Sequence, residues 1–191
     1  MTLKIKSLTI ALFVFAFLLN GCASAPSHLI VAPEILKQTR MQYVDKKATI
    51  NVIDMRTANQ IVQILREGEA ATLLSAQSRL EETIEKSLRR HWQQQGLSFQ
   101  DGAVNSINIT IENALISVSQ ETLKYQAQSN IVLKVTVNNG EQTLTSTFKN
   151  SGSSDGPFKA DIAVLERNFN QRLANLLQQI LVNEKVHHFL K

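Results

Sequence analysis

The sequence predicts one α+β domain, in which a mostly antiparallel sheet carries two amphipathic helices packed on one face. Two stretches with apolar residues at helical spacing, near residues 80–92 and 162–180, predict the helices. Several stretches of alternating apolar and polar residues predict the strands. The predicted order is strand, hairpin, helix, three-stranded meander, helix. Packing all the apolar faces together gives a two-layer α+β fold.

The first predicted elements are a strand over residues 48–54 and a hairpin over residues 60–74. In the strand, Ile50 and Val52 alternate with polar residues, which is typical of a half-buried strand. In the hairpin, two apolar runs lie on either side of Gly68, in a sequence that favours a turn.

The first predicted helix has one apolar face, formed by Leu80, Ile84, Leu88 and Trp92. Because Trp92 lies on this face, we interpret it as a core residue and not as a stacking platform for a ligand. Ser78 and Glu81 fit a capping box at the start of the helix. Gly96 fits the left-handed residue that often ends one.

The predicted meander covers residues 105–119, 122–137 and 141–150. In its first strand the apolar positions change parity between Ile111 and Ala114, which predicts a bulge near Glu112-Asn113. The sequence Asn138-Asn139-Gly140 favours a hairpin turn, because Asn and Gly tolerate positive φ. Residues 151–157 are rich in Gly and Ser, so we expect a loop there.

The second predicted helix spans about residues 161–182, with Asp161 as its N-cap. Its apolar face is formed by Ile162, Leu165, Phe169, Leu173, Leu176, Leu177 and Ile180. We expect Leu88 of the first helix and Leu173 of the second to be buried between the helices and the sheet.

The start of the chain has the features of a bacterial export signal. Lys4 and Lys6 precede an apolar run over residues 8–19, which is shorter than the roughly 20 apolar residues that span a bilayer. The single cysteine, Cys22, follows Leu-Asn-Gly, and this sequence resembles a lipobox. The resemblance implies that Cys22 is acylated and that the preceding residues are removed. Ala23, in place of Asp, implies sorting to the outer membrane of a Gram-negative cell.

These features predict three parts of the chain. Residues 1–21 are the signal peptide, residues 22–47 are the lipidated Cys22 with an extended tether, and residues 48–191 are a single α+β domain. Residues 28–47 would lengthen the tether if they were not docked on the domain.

Composition argues against nucleic acid as a partner. The net charge is +4, but Lys4 and Lys6 lie in the predicted signal peptide. The charge is therefore poor evidence for nucleic-acid binding, which needs a clustered basic face. The run of Lys86, Arg89 and Arg90 could meet anionic lipid, but glutamates share the same helix, so a solvated mixed face is the favoured interpretation.

Two further sequence patterns could indicate chemical sites. The sequence Gly152-Ser153-Ser154-Asp155-Gly156 fits the serine-nucleophile motif of hydrolases, but no tight strand-to-helix turn follows it. His187 and His188 are adjacent, so on a helix they diverge by about 100°, which is poor geometry for a metal site. We therefore expect no enzymatic activity, no cofactor and no metal.

Asp54 and Arg56 form the one candidate contact with a ligand or partner. An arginine can hold a carboxylate or phosphate with two parallel hydrogen bonds, so the pair could clamp a ligand. The alternative is structural, with Asp54 capping a turn and Arg56 bonded to it. The structural interpretation is favoured.

Five short sequences together resemble one family. They are LNGC, the early APEI, VIDMRT at the end of the first strand, QQQGL at the end of the first helix and VHHFLK at the C-terminus. This set resembles the YajG family of bacterial lipoproteins, over nearly the whole mature chain. The resemblance implies an envelope location and an α+β domain. It implies no activity, cofactor or catalytic residue.

The favoured function is that of a lipid-anchored, periplasm-facing protein of the outer membrane. It would be held in the membrane by Cys22 and would dock an unidentified protein partner or support an envelope assembly. The alternative is a binding module for a small envelope ligand, such as a lipid or a peptidoglycan fragment. A module that binds a lipid would need an apolar pocket of several hundred Å³. A hydrolase is the least favoured of the three.

Overall fold

The computed structural model describes residues 27–36 and 40–191 of the 191-residue chain. The predicted signal peptide, the lipobox and Cys22 lie outside the described residues. The division of the chain into these parts therefore stays a prediction.

The described residues form eight strands and three helices in one curled sheet with helices against it. The strands are β1 (His28–Leu29), β2 (Lys47–Asp54), β3 (Gln60–Arg66), β4 (Thr72–Ala76), β5 (Ser98–Phe99), β6 (Asn105–Gln120), β7 (Lys124–Asn138) and β8 (Thr143–Pro157). The helices are α1 (Leu80–Gln94), α2 (Ile162–Leu181) and α3 (Glu184–Leu190). The predicted α+β class is confirmed.

Strand β6 is the centre of the sheet. One side of it pairs with β7 in antiparallel register, and β7 pairs in turn with β8. The other side pairs with β2 and then with β3, which lie one after the other along it, both parallel to β6. The sheet is therefore mixed, and the expectation of a mostly antiparallel sheet is not confirmed. The parallel pairings arise because α1 carries the chain back from β4, so that β6 runs in the same direction as β2 and β3.

The predicted turns and bulge of the sheet are confirmed. Strands β3 and β4 form the expected hairpin, with Gly68 at φ +71° in its turn. The register of β6 against β7 shifts between Ile111 and Asn113, at the predicted bulge. Gly140 has φ +91° in the turn between β7 and β8.

Helix α1 packs on β2 with the predicted face. Leu88 and Trp92 are fully buried. Gly96 has φ +95° just after the helix, as predicted. The predicted capping box is wrong, because the N-cap is Arg79 and no side chain caps the helix. The carboxylate of Glu81 instead accepts a hydrogen bond of 2.7 Å from the Arg79 side chain.

Helix α2 packs beside α1 and against β7 and β8. The Asp161 carboxylate accepts a hydrogen bond from the Ala163 backbone N–H, so the predicted N-cap is confirmed. Leu173 is fully buried in the same core as Leu88. The short helix α3 adds Val186 and Leu190 to this core.

The prediction of a loop over residues 151–157 is wrong. These residues continue β8, and each of them pairs with a residue of β7, from Asn130↔Ser151 to Lys124↔Pro157. The pairing with the long strand β7 satisfies the backbone of this segment, so its lack of apolar residues does not prevent a strand.

The described N-terminal segment lies on the domain. Strand β1 pairs with β4, and Leu29 is fully buried. Further along, the Ala32 N–H donates a 2.9 Å hydrogen bond to the side chain of Asn170 in α2. The Tyr43 N–H donates to the Gln95 carbonyl at the end of α1. Residues 28–36 are therefore docked and add nothing to the reach of the tether.

Candidate functional site

The main exposed feature of the sheet is the outer edge of β8. Strand β8 has 15 residues and pairs only with β7. Among the described residues, no other strand pairs with the opposite edge of β8. A strand at such a border presents a row of unpaired backbone N–H and C=O groups, which can pair with a strand from another chain.

The side chains of β8 on the face away from the helices are exposed, and most of them are small and polar. They belong to Thr143, Thr145, Thr147, Lys149, Ser151, Ser153, Asp155 and Pro157. Only Lys149 and Asp155 carry a charge. Charges and prolines are the usual protection of an edge strand against pairing. Here they are few, and Pro157 lies at the end of the strand.

Two glycines of β8 allow neighbouring side chains to cover its inner face. A Cβ atom on Gly152 would collide with the guanidinium group of Arg172 in α2. A Cβ atom on Gly156 would lie 2.8 Å from Cε1 of Tyr125, the residue opposite it on β7. The inner face of the C-terminal half of β8 is therefore covered by Arg172 and Tyr125 in place of apolar side chains.

The serine motif does not form a nucleophile elbow. Ser153 and Ser154 lie in the middle of regular antiparallel pairing, where they face opposite sides of the sheet. His187 and His188 lie on α3 and line a surface cleft with Leu144. Leu144 is ten residues from Ser154 along β8, which corresponds to roughly 30 Å. The geometry of a serine nucleophile with a nearby base is therefore not formed by these residues.

Asp54 and Arg56 are brought together at the gap between β2 and β3. The Arg56 guanidinium donates to both Asp54 carboxylate oxygens, with a shortest distance of 2.7 Å. It also donates 3.1 Å hydrogen bonds to the carbonyls of Gln60 and Ala114. Four protein acceptors thus hold a side chain that is 8% exposed. This geometry links β2, β3 and β6 where their ladder is interrupted.

Arg56 also affects the ionisation of Asp54. Burial alone would raise the pKa of the Asp54 carboxyl, but the hydrogen bonds and the charge of Arg56 outweigh it, so the pKa is lowered. A polar cleft of about 410 Å³ lies beside the pair. The clamp for a ligand stays a prediction, since most of the Arg56 donors already have partners.

A cluster of aromatic and basic residues surrounds α3. The Tyr43 and His187 rings meet edge to face, with their centroids 5.0 Å apart. Burial raises the pKa of Tyr43 to about 12. Burial lowers the pKa of His187, and nearby positive charges, chiefly Lys191, lower it further. Among the residues that the structure describes, no group of three or more His, Cys, Asp or Glu side chains could hold a metal ion.

The basic run on α1 is partly engaged within the domain. Arg89 forms a 2.8 Å salt bridge with Glu85 and stacks over the ring of Phe99 at 4.7 Å. This arrangement agrees with a solvated mixed face.

The edge of β8 was missed by sequence reasoning, although one signal was present. Gly152 and Gly156 are four residues apart, which places them on one face of a strand. Two glycines at this spacing are typical of a strand that other side chains approach closely.

Residues 33–191 match the profile of a family described as uncharacterized lipoprotein. The chain belongs to this lipoprotein family. The resemblance to YajG-type lipoproteins is therefore confirmed. Membership indicates a membrane-anchored envelope protein. In the described part of the chain, none of the helices has the length and apolar character needed to cross a membrane. No curated protein matches this lipoprotein.

Solved structures resemble the lipoprotein in fold. A Xanthomonas campestris protein of the DUF330 family aligns with a TM-score of 0.58 at 11% identity, over 82% of this chain and 93% of that one. A neuraminyllactose-binding hemagglutinin homolog from Helicobacter pylori aligns with a TM-score of 0.43 at 8% identity, over 82% of this chain and 96% of that one. At such identities the first likeness concerns the fold alone, and the second is too distant to carry an argument.

Proposed function

We propose that this lipoprotein is a non-enzymatic protein of the outer membrane, anchored through an acylated Cys22 and facing the periplasm. Its domain docks a protein partner through the outer edge of β8. The observation that carries the docking proposal is the length of that edge, 15 residues with only two charges. Family membership supports the anchor.

The physical basis of docking is strand addition. An extended segment of a partner would pair with the free backbone groups of β8, and main-chain hydrogen bonds would supply most of the affinity. Each such bond contributes about 0.5–1.5 kcal/mol, so several are needed for a stable complex. The small side chains of β8 leave space for the side chains of an added strand.

The anchor is tested by Cys22→Ser. This substitution should abolish acyl labelling, leave an uncleaved precursor and remove the protein from the outer-membrane fraction. A variant that matures normally and still fractionates with the outer membrane would disprove the anchor.

Docking is tested by single proline substitutions at Ser151, Gly152, Ser153 and Ser154. In an antiparallel pair, alternate N–H groups of β8 bond to β7 and the others point outward. Proline at an outward position keeps the ladder intact, so it should preserve stability but block strand addition. Proline at the alternate positions should lower stability, and these variants serve as the internal comparison.

The measured quantity is the amount of a crosslinked complex of constant mass in intact cells. We expect the complex to disappear in the stable, outward proline variants. Retention of the complex in every folded variant would rule out docking through the edge of β8.

A further inference from the structure

A second exposed feature lies at one end of the sheet. Leu123, between β6 and β7, and Phe158, between β8 and α2, are 70% and 65% exposed. The Phe158 N–H donates a 2.8 Å hydrogen bond to the Leu123 carbonyl, so the two loops are joined. We refer to these two residues as the Leu123–Phe158 tip. Single exposed apolar residues are common, so the tip needs further observations before it indicates a contact.

The backbone of Phe158 is held in an unfavourable conformation. Its φ is +61°, a region that bulky side chains rarely adopt. The buried side chain of Gln120 fixes this turn from both sides. Gln120 Nε2 donates to the Phe158 carbonyl at 2.6 Å, and its Oε1 accepts from the Ala160 N–H at 2.9 Å. A strained residue that neighbouring groups hold in place is a reason to look for a function.

The Leu123–Phe158 tip lies at the end of the domain toward which the chain preceding His28 is directed. His28 pairs with Ser75 and Leu29 with Ala76, so the chain before His28 is directed toward the β3–β4 turn. At that end Arg66 pairs with Gln120, which pairs with Tyr125.

Distances along the chain agree with this placement. His28, the first residue of β1, and Gln60 of β3 both pair with Ser75, so they lie at the same level of the sheet. Strand β3 ends six residues after Gln60, and its end is therefore roughly 20 Å from that level. The six residues from Cys22 to Ser27 can span at most about 20 Å. The chain between Cys22 and His28 is therefore long enough for an acylated Cys22 to reach the level of the tip.

We propose that Leu123 and Phe158 insert into the lipid leaflet that holds the acyl chains of Cys22. This inference rests on the lipid anchor of the proposed function. The exposed Lys124 and Lys159 follow the two tip residues in sequence and can extend toward lipid phosphates, although Lys124 also lies 3.4 Å from Glu121. Two apolar residues are enough, because the anchor already holds the domain at a high local concentration near the leaflet.

The contact would set the orientation of the domain. Strand β8 ends next to the tip, at Pro157, and its 15 residues extend over roughly 50 Å. With the tip in the leaflet, the free edge of β8 points away from the membrane and is accessible along its length to a periplasmic partner.

The test uses the full acylated protein, purified from bacterial membranes and reconstituted in vesicles of phosphatidylethanolamine and phosphatidylglycerol. The sequence has a single cysteine. Because that cysteine is acylated, a second cysteine at Leu123→Cys or Phe158→Cys can be labelled selectively with a nitrobenzoxadiazole fluorophore. The control is Val104→Cys, which is 73% exposed and precedes β6, at the opposite end of the sheet.

We expect a blue-shifted emission and quenching by lipids with spin-labelled acyl chains at positions 123 and 158, and neither effect at position 104. Equal quenching at all three positions would overturn the inference while leaving the anchor intact. Absence of the acyl chains by mass spectrometry, together with failure of the protein to float with the vesicles, would overturn the anchor and the inference together.

A second variant separates membrane contact from a structural role. Phe158→Gly relieves the positive φ, so it should raise the melting temperature of the domain. It should also weaken the quenching of a label at position 123, since one of the two inserted side chains is lost. A lower melting temperature with unchanged quenching would assign Phe158 to the fold and overturn the inference.

Discussion

The two borders of the sheet are protected in different ways. On one side the outermost strands, β1 and β5, have only two residues each. On the other side β8 presents 15 residues, and no strand of the described chain pairs with its outer edge. Short edge strands are a common protection against pairing with other chains, and a long edge with few charges lacks that protection. On the first side, β5 pairs with only Lys47 and Ala48 of β2, and β1 with only Ser75 and Ala76 of β4, so the edges left there are short. The difference indicates that β8 offers a partner the longer unpaired edge.

The largest expected effect concerns the helices that lie behind both borders. Leu88→Ala in α1 and Leu173→Ala in α2 should each lower the free energy of unfolding by about 2–5 kcal/mol, because each removes a fully buried side chain. Denaturant melts of the soluble domain measure the change. The matched control is Leu123→Ala at an exposed position, where we expect a change within about 0.5 kcal/mol. Equal losses for all three would mean that the helices do not pack as described.

The helices and most strands could be predicted because the residues on a buried face are apolar and recur at a regular spacing in the sequence. Leu80, Ile84, Leu88 and Trp92 recur at the helical period, and all four are buried. The C-terminal half of β8 has no regular spacing of apolar residues. Its inner positions are Gly or polar residues covered by Arg172 and Tyr125, so its Gly and Ser residues resembled a loop.

The pairing directions of the strands and the backbone conformation of Phe158 could not be predicted from the sequence, for a different reason. The parallel pairing of β2 and β3 with β6 depends on how α1 returns the chain, which local patterns do not encode. Phe158 has a positive φ that its own sequence does not favour. The conformation depends on Gln120, which is 38 residues away in the chain.

A smaller effect is expected from the two glycines of β8. Gly156→Ala should cost about 1–3 kcal/mol, because the new Cβ meets the stiff ring of Tyr125 at 2.8 Å. Gly152→Ala should cost less than about 1 kcal/mol, because the end of the Arg172 side chain can move away. Thermal melts of both variants give the comparison. In a Tyr125→Ala background the cost of Gly156→Ala should fall, and an unchanged cost would show that the ring is not the obstacle.

The smallest effect is expected from the two serines of the hydrolase-like motif. The double variant Ser153→Ala and Ser154→Ala should change the free energy of unfolding by less than about 1 kcal/mol, since Ser154 is only half-buried and Ser153 is exposed. It should also complement any deletion phenotype as well as the natural protein does, whereas Cys22→Ser should not. If the double variant folds, localises normally and retains the crosslinked complex yet fails to complement, the serines carry chemistry and the binding proposal is wrong.

The most direct test of docking through β8 is site-specific photo-crosslinking in intact cells. A photoreactive amino acid is placed at Thr145 of β8 or at Asn108 of β6. Both side chains are exposed on the outer face of the sheet, in one row through Thr136, and lie roughly 10 Å apart. Strand addition at β8 predicts a protein adduct of constant mass at Thr145 and a much weaker adduct at Asn108. Equal adducts at the two positions, or an adduct only at Asn108, would contradict docking through the edge of β8.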